Sequence, residues 1–451
     1  MHTKTHTQIK SIVKLGAGAF CLTLAGLHPA QAQGTASQQN TGSTPDSSGS
    51  TSDIWDRFHP GLSVTGLALY NASLGNHKRQ WGTAGGAYLT LDVDLEKDRR
   101  ENGWQFHFMK TFFPFMHNAG NSAKWTRAAG AYHAGAAQHN DNTWGYLSRF
   151  SLSNRFLDDK LYLEAGRINA RHVFKMDTCD TLMLTCTEPM NDTATSSLPP
   201  PYGSWGMYGR YDIGSHYVHA GGFEFNVIDV IDKKTGWDWR TRNASGILWL
   251  AGVGNATSYA DTPWAGSYEV NLFHQTAMQF DPVKDAETRR GNNGLLLRAR
   301  QAVWRADGGA SGVENPEALE LFGSYSHSFY RESAFRFNAE IGATWRGFWR
   351  SRPTDHVNLR LNLLRLSDNQ QEFQRLARIG AGGANVATRA NSLRVALDAQ
   401  FGLTKYSFAE VSASYTHNPD SFHNPGIPER LSGGAVVGLQ LFWDIGGELG
   451  W

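Results

Sequence analysis

The chain has 451 residues with 42 basic and 41 acidic side chains, a formal net charge of +1, and charged residues make up only 18% of it. So even a balance, with no basic stripe, excludes a nucleic-acid footprint. Beyond the N-terminal segment no stretch approaches the roughly 18 uninterrupted apolar residues that a membrane helix needs, which excludes a helical membrane protein.

The first element is a leader. Lys4, Lys10 and Lys14 precede a short apolar core from Leu15 to Leu27, and Ala30-Gln31-Ala32 forms a small-x-small cleavage site, so residues 1–32 read as a secretory signal peptide. Cys21 follows Ala19 and Phe20, a poor lipid-attachment context, and is expected to leave with the leader. Removing three of the 42 basic residues and none of the 41 acidic ones leaves a formal net charge of -2. Residues 33–53, rich in Ser, Thr, Gly and Gln without a large apolar side chain, should form a disordered tether. The remainder, 54–451, reads as one domain.

That domain is a succession of period-two segments bounded by Gly, Pro, Asn and Asp. They fall near 62–70, 84–96, 103–112, 143–152, 159–167, 203–212, 215–226, 245–254, 265–276, 293–305, 318–327, 333–343, 354–365, 391–402, 405–416 and 432–444. Sixteen strands, an even number that leaves both termini on one side, predict an all-β fold, a transmembrane antiparallel barrel. The mean hydropathy of -0.43 is no obstacle, because only every second barrel residue must be apolar. An aromatic content of 12% and 48 glycines suit such a wall with aromatic girdles. Short connections follow the second, fourth, sixth and fourteenth segments. Long ones follow the first, third, fifth, seventh and thirteenth, the longest being 168–202; the connections at 306–317 and 328–332 break the pattern.

Several segments give an explicit facing. Phe335, Phe337, Ala339 and Ile341 alternate with Arg336, Asn338 and Glu340. Leu89, Leu91, Val93 and Leu95 oppose an acidic ladder of Asp92, Asp94 and Glu96. Leu295, Leu297, Ala299 and Val303 oppose a basic ladder, Arg298 and Arg300, shared with Leu296, Ala302 and Trp304. Arg360 lies with Asn358 and Asn362, and Arg394 with Asp398 and Gln400. An Arg turned to lipid at midplane costs roughly 2–4 kcal/mol, so the charged sets should face an aqueous lumen. There, opposed acidic and basic walls replace water around a polyhydroxyl solute, and they equally pair across strands to keep the lumen wet. In the exported chain Cys179 and Cys186 remain, and a disulfide is the default reading of their C-x6-C spacing. No cofactor or metal site is expected. Sixteen strands enclose a wide lumen that needs something folded inward to discriminate, and the stapled loop after the fifth segment would supply it.

Asp94-Leu95-Glu96-Lys97, Gly103-Trp104, Glu164-Ala165-Gly166-Arg167-Ile168-Asn169, the loop cysteines, Trp205-Gly206 and Gly221-Gly222-Phe223-Glu224-Phe225-Asn226 occur in an ordered set. With Gly294-Leu295-Leu296-Leu297, Val303-Trp304-Arg305, Tyr415 through Asn418-Pro419, and Val437-Gly438-Leu439-Gln440-Leu441, the set resembles the carbohydrate-selective porin family (OprB type) of the Gram-negative outer membrane. The resemblance runs from about Leu62 onward. It implies a sixteen-stranded barrel, passive uptake of monosaccharides such as glucose, and a constriction narrowed by the third external loop. It also places Arg167, in a Gly-Arg-x-Asn element, at the pore. Parity sets Arg167 in phase with the lipid-facing Leu161 and Leu163, so a lumen role needs the strand to end or bulge at Gly166. Trp451 could serve recognition by the barrel-assembly machinery, although Gly446-Gly447-Glu448-Leu449-Gly450 interrupts the last strand.

The expected partners are therefore small-molecule sugars, ions and outer-membrane lipids, and the sequence favours neither a monomer nor a homotrimer. A general diffusion porin shares every barrel feature and differs only in lacking sugar selectivity. An outer-membrane enzyme is the other class. Against it, Asp92 and Asp94 lie on one ladder and not across a cleft, and no G-x-S-x-G elbow or H-E-x-x-H helix is present.

Overall fold

The computed structural model describes residues 54–96, 103–115, 117–118, 120–134, 144–174, 202–225, 235–241 and 244–451. The leader and tether, Lys97, Cys179 and Cys186 lie outside these residues. The strands are β1 (Phe58–Asn71), β2 (Gln80–Asp94), β3 (Gln105–Phe112), β4 (Gly145–Phe156), β5 (Leu161–Ile168), β6 (Ser204–Ile213), β7 (His216–Phe225) and β8 (Gly246–Thr257). The series continues with β9 (Gly266–Asp281), β10 (Ala286–Arg305), β11 (Ala318–Ser328), β12 (Phe335–Arg346), β13 (His356–Leu366), β14 (Asn391–Thr404), β15 (Ser407–His417) and β16 (Gly434–Asp444). Each pairs antiparallel with its neighbours in sequence, and β1 pairs with β16, so the sheet closes. Closure removes the free edges that an open sheet would present to lipid. Among the described residues no helix is long and apolar enough to cross a membrane.

Burial alternates along the strands as a two-sided wall requires. On β13, Leu361 is 42% exposed while its neighbour Arg360 is 1% exposed. On β12, Ile341 is 63% exposed beside Glu340 at 1%. Apolar side chains thus cover the outside and polar ones line the inside, the reverse of a water-soluble sandwich. Exposed tryptophans gather at the two rims. Trp104, Trp264, Trp304, Trp345, Trp349 and Trp443 stand near the end where β1 starts and β16 stops, and Trp81, Trp144, Trp237, Trp239 and Trp249 stand near the other. Rings with an apolar body and a polar tip settle at headgroup depth.

Two bulges reverse the facing expected from simple alternation. Between Ala302 and Trp304 the β10–β11 register shifts, and Trp304 turns outward while Arg305 turns inward at 3% exposure. Trp304 is therefore not part of the inner ladder. Between Phe335 and Phe337 the β12–β13 register shifts as well, and Phe335 is buried on the inner side against Tyr132, Phe422, Leu364 and Leu366. An inserted residue changes the parity of everything on one side of it.

The strand ends that bound the long connections 113–144, 169–203, 226–245, 367–390 and 418–433 all lie at the end opposite the start of β1, the extracellular end in bacterial barrels. Three of these connections carry helix that turns into the mouth. Helix α1 (Ser122–Ala129) is capped by Asn121 and lays Trp125 and Ala129 on Leu67, Leu69, Ala84 and Val436 of the inner wall. Helix α2 (Ala170–Val173) is followed by Phe174, which is buried against Tyr208, Phe223, Leu248, Leu250 and Phe273. Helix α3 (Asp368–Gly380) buries Gln370, Phe373, Gln374, Ala377 and Arg378. A short helix α4 (Ile445–Leu449) ends the chain beyond β16, just before the exposed Trp451.

Candidate functional site

The inner wall is built of polar side chains that alternate with the outer apolar set, and neighbouring strands bring opposite charges side by side. On β13 and β14 the Arg360 guanidinium contacts the Asp398 carboxylate, which also accepts from Asn358 Nδ2 at 3.0 Å. On β10, Arg300 Nε donates to Glu320 Oε2 at 2.5 Å and its Nη2 to Thr344 Oγ1 at 3.2 Å. The same Glu320 accepts from Tyr259 at 2.7 Å and lies 2.9 Å from Arg346 Nε. Arg298 Nη2 donates to Glu269 Oε2 at 3.0 Å, and Tyr217 and Asn271 also donate to that carboxylate. On the far side of the barrel, Arg149 Nη2 lies 2.7 Å from Glu164, which accepts from Ser151 at 2.6 Å and Tyr162 at 2.8 Å.

This wall differs in one respect from two bare ladders of opposite sign. Arg298 and Arg300 stand on β10 as a pair, but Glu269 on β9 and Glu320 on β11 flank them. The acidic pair is engaged too. Asp92 Oδ1 lies 2.6 Å from His107 Nδ1, and Asp94 lies 2.9 Å from His59 Nε2 and 3.2 Å from Gln105 Nε2. Such fixed donors and acceptors present dipoles and charges to a solute without being free to collapse onto it.

The residues expected at the pore fall into two groups. Asp92, Asp94, Arg298, Arg300, Glu340, Arg360 and Arg394 lie on the inner parity of their strands, with Arg394 in register between Asn362 and Thr416. Glu96, Arg167 and Arg336 are placed apart from them. Glu96 is exposed in the turn after β2. Arg336 sits in the β12 bulge with Nη1 3.5 Å from the Phe329 carbonyl.

Arg167 keeps the outward parity of Leu161 and Leu163, since β5 has no register shift. It nonetheless meets neither lipid nor open lumen. Its Nη1 donates to Asp238 O at 2.8 Å, and its Nη2 to Gly203 O at 2.9 Å and Tyr146 OH at 3.0 Å. Only 3% of it is exposed, because residues 235–241 cover this corner of the wall. The backbone does bend at Gly166, with φ 142°, where a Cβ would stand 2.4 Å from Phe150 O. Arg167 therefore clasps the strand end.

Simple parity could also have found Glu164, Glu269 and Glu320, each flanked by outward apolar neighbours. At the mouth, Tyr132 stacks on His423 with centroids 5.8 Å apart and meets Phe335 at 4.7 Å and Phe422 at 5.5 Å. This cluster joins two loops to the start of β12 and has no local sequence signal. The head of the 169–203 loop, through Phe174, lies on the inner wall beside His219, with ring centroids 4.4 Å apart.

A closed wall of sixteen strands, apolar and aromatic-belted outside, ion-paired within and partly filled at one mouth by loops, defines a porin of the Gram-negative outer membrane. The chain belongs to the carbohydrate-selective porin family, OprB, whose model matches residues 78–444. It is 21% identical over 383 residues to Porin B of Pseudomonas aeruginosa, covering 78% of this chain and 80% of that protein. Among solved structures it is similar to the high-pH form of Pseudomonas putida OprB, with a TM-score of 0.70 and 17% identity over 87% of this chain and 95% of that one. The low-pH form of the same protein gives a TM-score of 0.50 and 12% identity over 87% of this chain and 94% of that one.

Proposed function

We propose that this porin carries out passive, selective diffusion of monosaccharides such as glucose, performs no catalysis, and is exported by removal of residues 1–32. The observation that carries the reading is the inner wall, where inward arginines are matched by carboxylates on adjacent strands. A neutral, heavily hydroxylated solute trades its water for such a wall without paying for an unbalanced field, whereas either sign of ion meets both attraction and repulsion there. Asp92, Asp94, Arg298 and Arg300 are the side chains proposed to line its route, and the enclosed Arg360 and Arg394 are proposed to shape the field around it. The loop beyond Phe174, with a Cys179–Cys186 disulfide, is proposed to narrow the mouth further.

Liposome swelling tests the reading. Glucose should enter faster than an uncharged non-sugar of similar size. Equal rates would make the protein a general diffusion porin.

A further inference from the structure

A surface helix normally buries an apolar stripe at i, i+3, i+4, i+7. Helix α3 departs from this: its buried face is Gln370, Phe373, Gln374, Ala377 and Arg378, so amides occupy successive turns of the inward stripe. The helix is held firmly in that attitude. Ser367 Oγ accepts from the Gln370 backbone N–H at 3.1 Å, and Arg378 donates to Val386 O at 2.7 Å and Thr388 Oγ1 at 3.1 Å.

What the stripe faces is polar as well. Gln374 Oε1 accepts from the backbone N–H and hydroxyl of Ser421, both at 3.1 Å. One residue back, Asp420 Oδ1 accepts from Phe422 N at 2.8 Å and Tyr132 N at 3.1 Å, and His133 follows Tyr132 directly in the chain. Three loops, 120–134, 367–390 and 418–433, thereby meet at one point of the outer mouth. On the three segments that meet there, several buried side-chain atoms have no hydrogen-bond partner among the described residues: both polar side-chain atoms of Gln370, Nε2 of Gln374, Oδ2 of Asp420 and Nε2 of His133. Gln370 is 1% exposed, Gln374 0%, His133 3% and Asp420 4%.

Enclosing such an atom without a partner is costly, because it gives up its hydrogen bond to water. Four such side chains on three segments that meet at one mouth leave donors and acceptors open to a further partner. The set mixes amide N–H, amide oxygen, carboxylate oxygen and ring nitrogen. That mixture matches hydroxyl groups, each both donor and acceptor, better than it matches an ion of either sign. The rings of Tyr132 and Phe422 border the same cluster and offer apolar faces to C–H surfaces.

We propose that Gln370, Gln374, Asp420 and His133 form a hydrogen-bonding station at the outer mouth for a neutral polyhydroxyl solute, the first place a sugar is held before it enters the charged lumen. The proposal rests on the sugar-diffusion reading above and adds a location and residues to it. Binding opens the contact between α3 and residues 420–423, and the solute's hydroxyls take the partners that the amides lack.

The full-length protein in planar bilayers provides the test, with glucose as probe and a methyl-capped glycol ether without hydroxyls as control. Glucose should reduce the ion current in a saturable way and the ether should not. In the double variant Gln370→Ala, Gln374→Ala the half-blocking glucose concentration should rise about tenfold, as expected for the loss of two ordinary hydrogen bonds. Asp420→Asn keeps the Oδ1 acceptor for Tyr132 and Phe422 but turns the other oxygen into a donor, and it should raise that concentration severalfold. Heat-modifiable migration in gels verifies that each barrel is folded, so the gentler variant decides if the double one is not. Equal half-blocking concentrations in the variant and unaltered proteins would overturn the station while leaving sugar passage intact. Unaltered protein that conducts ions yet is not blocked by glucose, and swells liposomes at one rate with glucose and with the non-sugar, would remove the reading beneath it.

Discussion

Arg360 and Asp398 meet across the β13–β14 pair with side chains 1% and 0% exposed, so one fixed ion pair ties two adjacent strands from the inside. Asn358 braces the carboxylate from the same strand as the arginine. The wall uses this arrangement repeatedly, as Arg149 with Glu164 and Arg298 with Glu269 illustrate. Charge in the lumen is therefore part of the wall's cohesion as well as its field.

Removing one member should cost more than removing both. Asp398→Ala leaves an enclosed guanidinium without its carboxylate, and a broken buried pair typically costs about 3–5 kcal/mol. Arg360→Met with Asp398→Leu should cost less than Asp398→Ala alone. Thermal unfolding in detergent, followed by circular dichroism, gives the order of the two transition temperatures. The reverse order would mean that Asp398 contributes little to holding Arg360.

Arg298→Ala together with Arg300→Ala should shift ion preference toward cations. Glu269 and Glu320 remain beside the vacated positions, so the substitution both removes positive charge and uncovers negative charge. Reversal potentials in a salt gradient measure the shift. An unchanged potential would place these side chains away from the conducting path.

Gly166→Ala should destabilise the corner that Arg167 clasps. The φ of 142° is unfavourable for an L side chain, and the added Cβ would lie 2.6 Å from Ser151 Cα as well as close to Phe150 O. Backbone strain of this kind costs roughly 1–3 kcal/mol before any clash is relieved. A fall in unfolding temperature, absent from an Ala substitution at the open Gly66, is the expected result.

The strands were legible in the sequence because outward apolar residues alternate with inward polar ones, and Leu359, Arg360, Leu361 and Asn362 show how little context that pattern needs. Bulges were not legible. Val303 and Arg336 look like ordinary members of their ladders, and only pairing with the neighbouring strand reveals the extra residue that turns Trp304 outward and Phe335 inward. The loops were harder still. Helix α3 does carry a local signal, Ser367 followed three residues later by Gln370, with Phe373 and Ala377 in helical phase. The meeting of Tyr132, Gln374 and Asp420 has none, since it depends on three connections far apart in the chain finding one another at the mouth. Inner-face carboxylates such as Glu269 and Glu320 were available from parity alone, and their omission left the basic ladder looking unbalanced.

The mouth should respond to pH in a way that separates two opposing groups. Burial raises the Asp420 carboxyl to about 6, above its ordinary value of 3.8. The docked loops then hold that proton more tightly than the undocked chain, so this group favours docking in acid and opposes it as pH rises through about 6. His133 acts in the other direction. Burial, then the nearby Arg394 and His423, push it well below 6.5, so it stays neutral when docked and opposes docking as pH falls below 6.5. In the unaltered protein the two effects offset one another in mild acid. Asp420→Asn removes the first, keeps the acceptor for Tyr132 and Phe422, and should stabilise docking near pH 8 by up to about 2–3 kcal/mol, because the buried carboxyl titrates at about 6 in place of 3.8. Below pH 6 the variant should then lose protection more steeply than the unaltered protein, because only His133 and the likewise buried His423, which burial pushes down to about 3, remain. Hydrogen exchange of the Tyr132 and Phe422 amides reads both effects directly. Equal protection of these amides in the two proteins at pH 8, with parallel loss in acid, would show that Asp420 carries no charge penalty in the docked mouth.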